Sequence, residues 1–344
     1  MKATKELIFA DGVFFQSCHA STILPLENGD VLCAYFAGSR EKGDDVGIWL
    51  SRKAGGKWQA PVCVAKDEPS PHWNPVLFEA DGLIRLVYKV GASVPVWKSR
   101  CRVSSDGGHS FGEPFAYQEP HSACGPVRSK PITTKDGLLI APNSVETESE
   151  WLPFVDISKD GGASFEKLAD IPVNISDEAA PDYISGKGAI QPALWQSGAG
   201  LHAFLRTTAG AVYRSDSVDG GRTWSLARRT AIPNNNSGIE TAWDGDDLYL
   251  VLNPVSNATT PSKGVRHPIS ILKLSDDGEN FDEFMELERS PTDDEAAAAR
   301  EKFADHPYMG RIEYSYPAAC VRNGVMYVSY TYCRRQIAVW EIQL

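Results

Sequence analysis

The stretch Ser217–Trp224 reads SVDGGRTW, and close copies of this octet stand elsewhere in the chain. Two full copies are SSDGGHSF, beginning at Ser104, and SKDGGASF, beginning at Ser158. A shortened copy, SDDGENF, begins at Ser275, and a degenerate copy, SRKAGGKW, begins at Ser51. Successive copies start 53 to 59 residues apart, which suits a repeating unit of four short β-strands.

A second series of turns runs in phase with the octets. In each of them a turn that contains glycine precedes an alternating or apolar run rich in strand-forming residues. The six runs are NGDVLCAYF at Asn28, DGLIRLVYK at Asp81, DGLLIAPNS at Asp136, AGLHAFLRT at Ala199, DGDDLYLVL at Asp244 and NGVMYVSYT at Asn323. Six such hairpins predict an all-β fold, a six-bladed β-propeller with four-stranded antiparallel blades, formed by residues 1–344 as a single domain.

Two further elements are predicted from the rest of the pattern. The final run, QIAVWEIQL, is expected to pair with the N-terminal segment KELIFADG, because an unclosed propeller leaves edge strands unpaired. The one convincing helical pattern, TDDEAAAAREKF, covers Thr292–Phe303.

The octet itself is predicted to be structural. Its aspartate can accept local backbone N–H bonds, its glycines take positive φ, and its aromatic residue packs beneath the turn. One active site does not need four equivalent carboxylates, so Asp106, Asp160, Asp219 and Asp277 are expected to hold turns. The chemistry must therefore be sought among residues that do not repeat.

Composition narrows the classes of function. Hydrophobic residues make up 42% of the 344 residues and charged residues 23%, a balance typical of globular proteins with a sizeable core. The net charge of -11 argues against nucleic acid as the main partner, because phosphate binding needs a clustered positive field.

Seven cysteines without a CxxC pair indicate neither a disulfide framework nor a zinc site. We expect no membrane span and no secretory signal, hence a cytoplasmic location.

The chain resembles the sialidase (neuraminidase) superfamily, whose members are six-bladed propellers that carry this octet, the Asp-box. It is similar in particular to a bacterial sialidase-like branch, through the segments CHASTILPLENGD, DVGIWLSR, WNPVLF, NSGIE and EYSYPA. The resemblance covers essentially the whole chain. It implies a site in which three arginines bind a sialic acid carboxylate, a tyrosine nucleophile pairs with a glutamate, and an aspartate on a loop acts as acid and base.

Three positions match the pattern that the resemblance implies. Arg206, in LHAFLRTT, corresponds to the second arginine, and Arg266, in GVRHPISILKLSDDG, corresponds to the third. Tyr314, in EYSYPA, corresponds to the nucleophile. A guanidinium matches a carboxylate in a bidentate fork, and a neutral tyrosine avoids the repulsion that a carboxylate nucleophile meets beside an anionic sugar.

Two positions depart from that pattern. The first arginine falls at His19, in CHAST, and the glutamate falls at Gln191, in AIQPALW. A glutamine cannot take a proton, so the tyrosine–glutamate couple is not intact, and Gln191 is expected to orient water or the tyrosine. Glu240, in NNNSGIET, and Glu313, beside Tyr314, are candidate substitutes. His19 can bind a carboxylate when protonated or act as a base near neutral pH.

The acid is implied to lie on the loop GSREKGDDVGIWL. Asp45 matches the DVG segment of the family, and Asp44 and Glu41 are alternatives on the same loop. A general acid needs a raised pKa, which desolvation or a neighbouring carboxylate supplies. Further side chains expected to line the site are Arg40, Trp73, Asn74, Lys89, Arg128, Lys130 and Tyr316.

The sequence therefore predicts an exo-acting glycoside hydrolase of sialidase type that releases a terminal acidic sugar, most simply sialic acid, without a metal or cofactor. In this prediction Arg206 and Arg266 bind the carboxylate, Asp45 protonates the departing oxygen, and Tyr314 stabilises or traps the oxocarbenium-like centre. Two alternatives stay open: a lyase or hydrolase that acts on a rhamnose–uronic acid linkage, and a carbohydrate-binding propeller without turnover. In each case the partner is an acidic carbohydrate, not a nucleic acid or a membrane.

Overall fold

The computed structural model describes residues 2–117, 124–198, 200–245, 247–256, 264–275 and 278–344. The strands of the first third are β1 (Ala3–Leu7), β2 (Ser17–Pro25), β3 (Val31–Gly38), β4 (Gly47–Ala54), β5 (Lys57–Trp58), β6 (Val62–Ala65), β7 (His72–Ala80), β8 (Leu83–Val90), β9 (Lys98–Ser104) and β10 (Phe115–Ala116). A short 3₁₀ helix at Val94–Val96 precedes β9.

The middle of the chain adds eight strands, β11 (Ile132–Thr133), β12 (Leu139–Glu146), β13 (Trp151–Ser158), β14 (Glu166–Asp170), β15 (Ala189–Ser197), β16 (Gly200–Thr207), β17 (Ala211–Ser217) and β18 (Arg228–Pro233). The last third contains β19 (Glu240–Asp244), β20 (Asp247–Leu252), β21 (Ile269–Leu274), β22 (Phe281–Glu288), helix α1 (Asp293–Lys302), β23 (Tyr314–Arg322), β24 (Val325–Tyr332) and β25 (Gln336–Gln343).

The strands form six antiparallel sheets, which we call blades 1 to 6. Blades 1 to 5 have the strand orders β2-β3-β4-β5, β7-β8-β9-β10, β11-β12-β13-β14, β15-β16-β17-β18 and β19-β20-β21-β22, and blade 6 has the order β23-β24-β25-β1. The predicted fold class, an all-β six-bladed propeller with four-stranded blades, is confirmed. Blade 1 differs slightly because two short strands, β5 and β6, both pair with β4 along its outer edge.

The two predictions about the remaining elements are also confirmed. Strand β1 pairs with β25, so that Ala3 lies opposite Ile342, and blade 6 takes its fourth strand from the N-terminal segment. The predicted helix is α1, and it begins after the N-cap residue Thr292. Thr292 and Glu295 form a capping box, in which each side chain accepts a hydrogen bond from the backbone of the other residue. This helix is too short and too polar to cross a membrane, and it is the only α-helix among the described residues.

The chain divides into two compact units. The first consists of Met1–Pro75, Glu240–Asn253 and Val265–Leu344, and it contains blades 1, 5 and 6. The second consists of Val76–Ile239 and Pro254–Gly264, and it contains blades 3 and 4 and most of blade 2. The assignment of the whole chain to a single domain stays a prediction.

Apolar side chains fill the space between neighbouring blades within each unit. In the second unit, Val155 of blade 3 belongs to the same buried cluster as Leu205 of blade 4. In the first unit, Val251 of blade 5 packs in one cluster with Val328 of blade 6. The inner strands, such as β2, β3 and β20, are almost wholly buried and have mostly apolar sequences, whereas outermost strands such as β14 and β22 are largely exposed.

The octet at Ser217–Trp224 is a turn that its own side chains hold together between β17 and β18. Asp219 accepts hydrogen bonds from the Thr223 backbone at 2.9 Å, the Thr223 hydroxyl at 2.6 Å and the Ser217 hydroxyl at 2.9 Å. Gly221 has a φ of 84°, and an added Cβ there would lie 3.3 Å from a leucine side chain. Trp224 is buried in the core of the blade.

The other octets repeat this arrangement where the structure describes them. Asp106 accepts bonds from Ser104 and Ser110, and Asp160 accepts bonds from Ser158 and Ser164. These contacts are those of turn-forming residues, which the sequence predicted. Asp277 lies outside the described residues.

We predict that Asp219→Ala lowers the thermal unfolding midpoint. Hydrogen bonds from Thr223 hold the pKa of Asp219 at about 2, below the ordinary value of about 3.9. A carboxylate with a depressed pKa stabilises the fold above the unfolded pKa, and this contribution disappears as the pH falls towards the folded pKa. Calorimetry is therefore expected to show a difference between wild type and variant at neutral pH that shrinks between about pH 4 and pH 2.

The control for this experiment is Asp282→Ala, which changes an exposed aspartate on β22. It is expected to leave the midpoint close to that of the wild type. An equal loss in both variants, or a difference that does not depend on pH, would contradict the structural role of the octet.

Candidate active site

Four blades carry a residue with positive φ near the start of their first strand. The φ angles are 54° at Ala20, 37° at Asn74, 51° at Gln191 and 55° at Tyr316. The strand pairing shifts by a residue around three of them, in β2, β15 and β23, as it does at a β-bulge. Residues other than glycine adopt this backbone conformation at a cost of about 1–3 kcal/mol each, and residues that do so cluster at functional sites. The bulges therefore mark these first strands as candidate site positions.

In the first unit, the fully buried carboxylate of Glu313 lies at the centre of an arginine cluster. Its Oε1 accepts hydrogen bonds from Arg266 Nη1 at 2.8 Å, Arg334 Nε at 3.1 Å and Ser315 Oγ at 2.6 Å. Arg311 Nε lies 3.7 Å from Oε2. We refer to Glu313, Ser315 and the three arginines as the Glu313 cluster.

The charges around Glu313 determine its protonation. Burial by itself raises the pKa of a carboxyl group, but Arg334 and Arg266, assisted by His19 and Arg311, hold the pKa of Glu313 well below its ordinary value. The carboxylate is therefore ionised, and it is held by more than one cation.

Arg334 is itself buried, and it binds a second carboxylate. Its Nη1 lies 2.5 Å from Glu41 Oε2, and its guanidinium lies 5.0 Å from the ring centre of Tyr308. Burial opposes the charge of Arg334, but Glu313 and Glu41 raise its pKa above the ordinary value. Three guanidinium groups thus share two carboxylates, which leaves the Glu313 cluster with a net positive charge that suits an anionic ligand.

His19 and Tyr316 lie against this cluster. The Tyr316 ring is 4.3 Å from the ring of His19, measured between centroids, and 5.3 Å from the Arg266 guanidinium. His19 Nδ1 lies 2.8 Å from Thr331 Oγ1, and this contact fixes the orientation of the buried imidazole. Four residues predicted from the sequence, His19, Arg266, Glu313 and Tyr316, are therefore brought together.

The side chain of Tyr314, the predicted nucleophile, is not part of the Glu313 cluster. Its side chain belongs to the apolar core of blades 5 and 6, its ring lies 5.2 Å from that of Tyr332, and burial raises its pKa above the ordinary value. In a regular strand Tyr314 and Tyr316 would share one face. The positive φ of Tyr316 and the bulge beside it separate the two side chains. The structure therefore places the Tyr316 ring beside His19 and Arg266 and the Tyr314 ring in the apolar core, and the catalytic role of a tyrosine stays a prediction.

The structure defines the contacts of Asp45 and Glu41 on the loop that was predicted to carry the acid. Asp45 is exposed, and its carboxylate accepts hydrogen bonds from the backbone and the hydroxyl of Ser39, at 2.6 and 2.8 Å. Glu41 contacts Arg334, as described above, and its N–H donates to the Tyr308 hydroxyl at 3.1 Å. Arg40 is exposed and lines a cavity of about 650 Å³ together with Phe303 and Arg335.

In the second unit, Arg206 is the centre of another buried polar group. Its Nη1 donates to Gln191 Oε1 at 3.0 Å, its Nε donates to Asn236 Oδ1 at 2.9 Å, and its guanidinium lies 5.9 Å from the ring centre of Trp151. Gln191 Nε2 in turn donates to Glu146 Oε1 at 3.3 Å. We refer to these five residues as the Arg206 cluster, in which Gln191 bridges an arginine and a carboxylate.

The other cationic residues predicted for the site all lie in the second unit. Lys89 is fully buried, and its Nζ donates to Ser99 Oγ at 2.5 Å and to the Cys124 carbonyl at 3.3 Å. Burial lowers the pKa of Lys89 to about 8. Arg128 is 1% exposed, and Lys130 is partly exposed.

Three further predicted residues lie in the first unit on or near first strands. Trp73 and Asn74 are buried in β7, and the Trp73 ring lies 6.1 Å from that of Phe36. Glu240 is the first residue of β19 and is 3% exposed. Their roles stay predictions.

Sequence reasoning missed Arg334 and Glu146. Arg334 belongs to the turn CRRQ, where it is one of two adjacent arginines, and Glu146 is one of three glutamates in VETESEW. Nothing local distinguishes either residue from its neighbours. Only the pairing of strands, which brings Arg334 to Glu313 and Glu146 to Gln191, identifies them.

We predict that Glu313→Gln lowers the free energy of unfolding by about 3 kcal/mol, because the buried Arg334 then loses its main counter-ion. The depressed pKa of Glu313 adds a pH dependence: its contribution is present above the ordinary value of about 4.3 and is lost as the pH falls below it. Urea unfolding at pH 7 measures the loss.

The matched control is Glu27→Gln. Glu27 pairs with Arg322 at 3.3 Å, but its side chain is 86% exposed, so the expected loss is under about 1 kcal/mol. Similar losses in the two variants would show that the Glu313 ion pairs do not support the site as described.

Several solved structures have the same fold. A crystal structure of a protein of unknown function from Dyadobacter fermentans matches with a TM-score of 0.73 and 16% identity, over 99% of both chains. The Hadza microbial sialidase Hz136 matches with a TM-score of 0.74 and 14% identity, over 99% of this chain and 68% of that one. A Trypanosoma rangeli sialidase in complex with the inhibitor DANA matches with a TM-score of 0.70 and 12% identity, over 99% of this chain and 59% of that one. At these identities the likeness shows the sialidase-like propeller fold alone.

The present chain spans about three fifths of the Trypanosoma rangeli enzyme. No curated protein sequence matches it. The sequence model of the BNR repeat-like domain, in contrast, matches residues 29–328. Because this match covers most of the 344 residues, the chain belongs to the family of BNR repeat-like domains.

Proposed function

We propose that this protein is an exo-acting glycosidase of sialidase type, which hydrolyses the bond to a terminal acidic sugar such as sialic acid. The Glu313 cluster is the observation that carries the proposal. It gathers three arginines around one buried carboxylate and places a tyrosine and a histidine against them. An excess of guanidinium groups beside an aromatic hydroxyl suits a sugar that bears a carboxylate.

Arg266 is the guanidinium that we propose for the sugar carboxylate in the first unit. Its side chain is 17% exposed, and the bond to Glu313 uses Nη1, which leaves further N–H donors of the fork for a ligand. Glu313 holds Arg266 in place, so the donors are oriented before the ligand arrives. Arg206 is proposed for the same kind of contact in the second unit, where Gln191 and Asn236 orient it.

Tyr316 is proposed to stabilise or trap the oxocarbenium-like centre, the role that the sequence assigned to Tyr314. Its ring centre lies 5.3 Å from the Arg266 guanidinium, the group proposed to bind the sugar carboxylate. The proton for the departing oxygen is proposed to come from Asp45, an exposed carboxylate on the loop that matches the family pattern. Glu41 is less suited to this role because it is paired with Arg334.

A panel of fluorogenic glycosides tests this proposal. Sialosides and uronosides are incubated with the protein, and each product is identified by mass. We expect release of the free acidic sugar from at least one substrate, and no release from neutral glycosides. Absence of turnover on every acidic glycoside, with the substrate recovered intact after binding, would instead support a carbohydrate-binding propeller.

The second candidate function is elimination at a uronic acid linkage, and the contact of His19 with Tyr316 favours it. In that reaction His19 takes the proton α to the carboxylate, the bond to the leaving oxygen breaks, and Tyr316 gives its proton to that oxygen. The product would carry a new carbon–carbon double bond. Incubation with an oligosaccharide that carries a sugar on O4 of a uronic acid, followed by ultraviolet absorbance and mass of the products, separates elimination from hydrolysis.

We predict that Tyr316→Phe lowers kcat by about 100-fold or more on the best substrate of the panel, since removal of a group that acts in the transition state has effects of this order. Tyr314→Phe is expected to change kcat by less than about threefold, because its ring packs in the core and most of that packing is retained. Steady-state kinetics of both variants distinguishes the two tyrosines. A large loss in Tyr314→Phe with normal activity in Tyr316→Phe would restore the assignment made from the sequence.

A further inference from the structure

We propose a second catalytic centre in blade 4, a serine–histidine–aspartate triad that hydrolyses small acyl esters. The triad consists of Ser197, His202 and Asp216, which all belong to the second unit. It takes no part in the proposed glycosidase reaction. Either activity can therefore be absent while the other is present.

Strand register places the three side chains on one face of blade 4. His202 of β16 lies opposite Asp216 of β17 in one strand pairing and opposite Trp195 of β15 in the other. Ser197 follows Trp195 by two residues in β15, and side chains two residues apart in a strand point to the same face. The hydroxyl, the imidazole and the carboxylate therefore lie side by side on three neighbouring strands.

The three side chains form a continuous chain of hydrogen bonds. Ser197 Oγ lies 2.9 Å from His202 Nε2, and His202 Nδ1 lies 2.6 Å from Asp216 Oδ1. Both distances suit proton transfer from a nucleophile to a base that a third group orients. The order of hydroxyl, Nε2, Nδ1 and carboxylate is the order that defines the triad of serine hydrolases.

The charge of Asp216 determines which imidazole nitrogen carries the proton. Burial by itself raises the pKa of Asp216, but hydrogen bonds from His202 and Arg214 hold it below the ordinary value, so the carboxyl group is ionised at neutral pH. Arg214 Nε donates to Oδ1 at 2.8 Å, Arg214 Nη2 lies 3.3 Å from His202 Nδ1, and Arg228 Nη2 lies 3.8 Å from Oδ2. Because Nδ1 lies nearer to the carboxylate than to the guanidinium, Nδ1 carries the proton, and Nε2 keeps its lone pair for the Ser197 hydroxyl.

Aromatic stacking holds the imidazole in this orientation. The buried Trp195 ring lies 4.9 Å from the His202 ring, measured between centroids, with an angle of 23° between the two planes. The Arg214 guanidinium lies 5.3 Å from the centre of the same indole. The base is therefore oriented before a substrate arrives, which lowers the entropic cost of the reaction.

The chain beside Ser197 leaves room for a substrate. Ser197 is partly exposed, Gly198 is exposed, and the His202 side chain is 14% exposed. An added Cβ at Gly198 would meet no atom within 4 Å, and one at Gly200 would lie 3.2 Å from His202 Nε2. The two glycines thus place no side chain beside the hydroxyl and Nε2, and a small ester carbonyl can approach there.

The proposed reaction proceeds through an acyl-enzyme. Ser197 Oγ forms a bond to the carbonyl carbon of the ester while His202 Nε2 takes the hydroxyl proton. The bond from that carbon to the alcohol oxygen then breaks, and this oxygen takes the proton from Nε2. A water oxygen next bonds to the acyl carbon, and Nε2 takes one proton from the water and returns it to Ser197 as the acyl bond breaks. The net reaction adds one water across the ester bond.

Labelling with diisopropyl fluorophosphate tests the nucleophile directly. Ser197 Oγ forms a bond to phosphorus, fluoride leaves, His202 takes the proton, and peptide mass spectrometry identifies the modified residue. We expect the adduct on Ser197 of the wild type, and at most about a tenth as much in His202→Gln, which lacks the base. An unlabelled Ser197 in the folded wild type, or equal labelling in His202→Gln, would overturn the proposal.

Hydrolysis of 4-nitrophenyl acetate tests turnover. Ser197→Ala is expected to lower the rate above buffer by about 100-fold or more. The matched control is Ser149→Ala, which removes an exposed hydroxyl from another hairpin of the second unit and is expected to keep the wild-type rate. Thermal unfolding checks the fold of both variants, and the labelling of the wild type needs neither of them. Equal rates in the wild type and Ser197→Ala would contradict the triad.

Asp216 is a positioning residue, so its test measures the imidazole and not only the rate. Nitrogen-15 NMR of the neutral His202 ring in the wild type is expected to show the proton on Nδ1. Asp216→Asn removes the charge that holds this proton and is expected to lower the labelling of Ser197 by at least about tenfold. A proton on Nε2 in the wild type, or undiminished labelling in Asp216→Asn, would count against the triad.

Discussion

The ion pairs of Glu313 are the interaction on which the first unit's site depends. A buried carboxylate and a buried guanidinium are each costly alone, by several kcal/mol, and they are tolerated because they satisfy one another. Glu313 precedes β23, Arg334 lies in the turn before β25, and Arg266 precedes β21. One carboxylate therefore joins three segments that are distant in sequence, and it fixes the guanidinium groups in orientations that a ligand can use.

The repeated and the unrepeated residues have different tasks. The octets satisfy the hydrogen bonds of their aspartates within a turn, as Asp219 does, and each turn is anchored by an aromatic residue such as the buried Trp224. The bulges at Gln191 and Tyr316 are different, because their strained backbones are held by contacts with other strands. Such strain persists where the surrounding structure determines the conformation more strongly than local preference does. The fold thus provides a regular scaffold, and a few positions with irregular backbone set the direction of individual side chains.

The features that could be predicted from the sequence are those that depend on local periodicity. The octet spacing and the glycine turns were sufficient for six blades, and the apolar runs at the two chain ends were sufficient for the pairing of β1 with β25. The choice between Tyr314 and Tyr316 could not be made in this way, because strand alternation places both on one face and only the bulge separates them. Glu146 and Arg334 were not predicted because only their contacts with residues of other strands distinguish them from their neighbours in sequence. Local signals predict elements, whereas the site depends on how the elements meet.

The claim that the arginines recognise a carboxylate is tested most directly by calorimetric titration with one acidic sugar and its methyl ester. The ester keeps the shape of the ligand but removes the charge and the bidentate acceptor. A charge-assisted hydrogen bond contributes about 1.5–3 kcal/mol, so the acid is expected to bind at least about tenfold more tightly than the ester. Equal affinity for the two ligands, or tighter binding of the ester, would contradict the account.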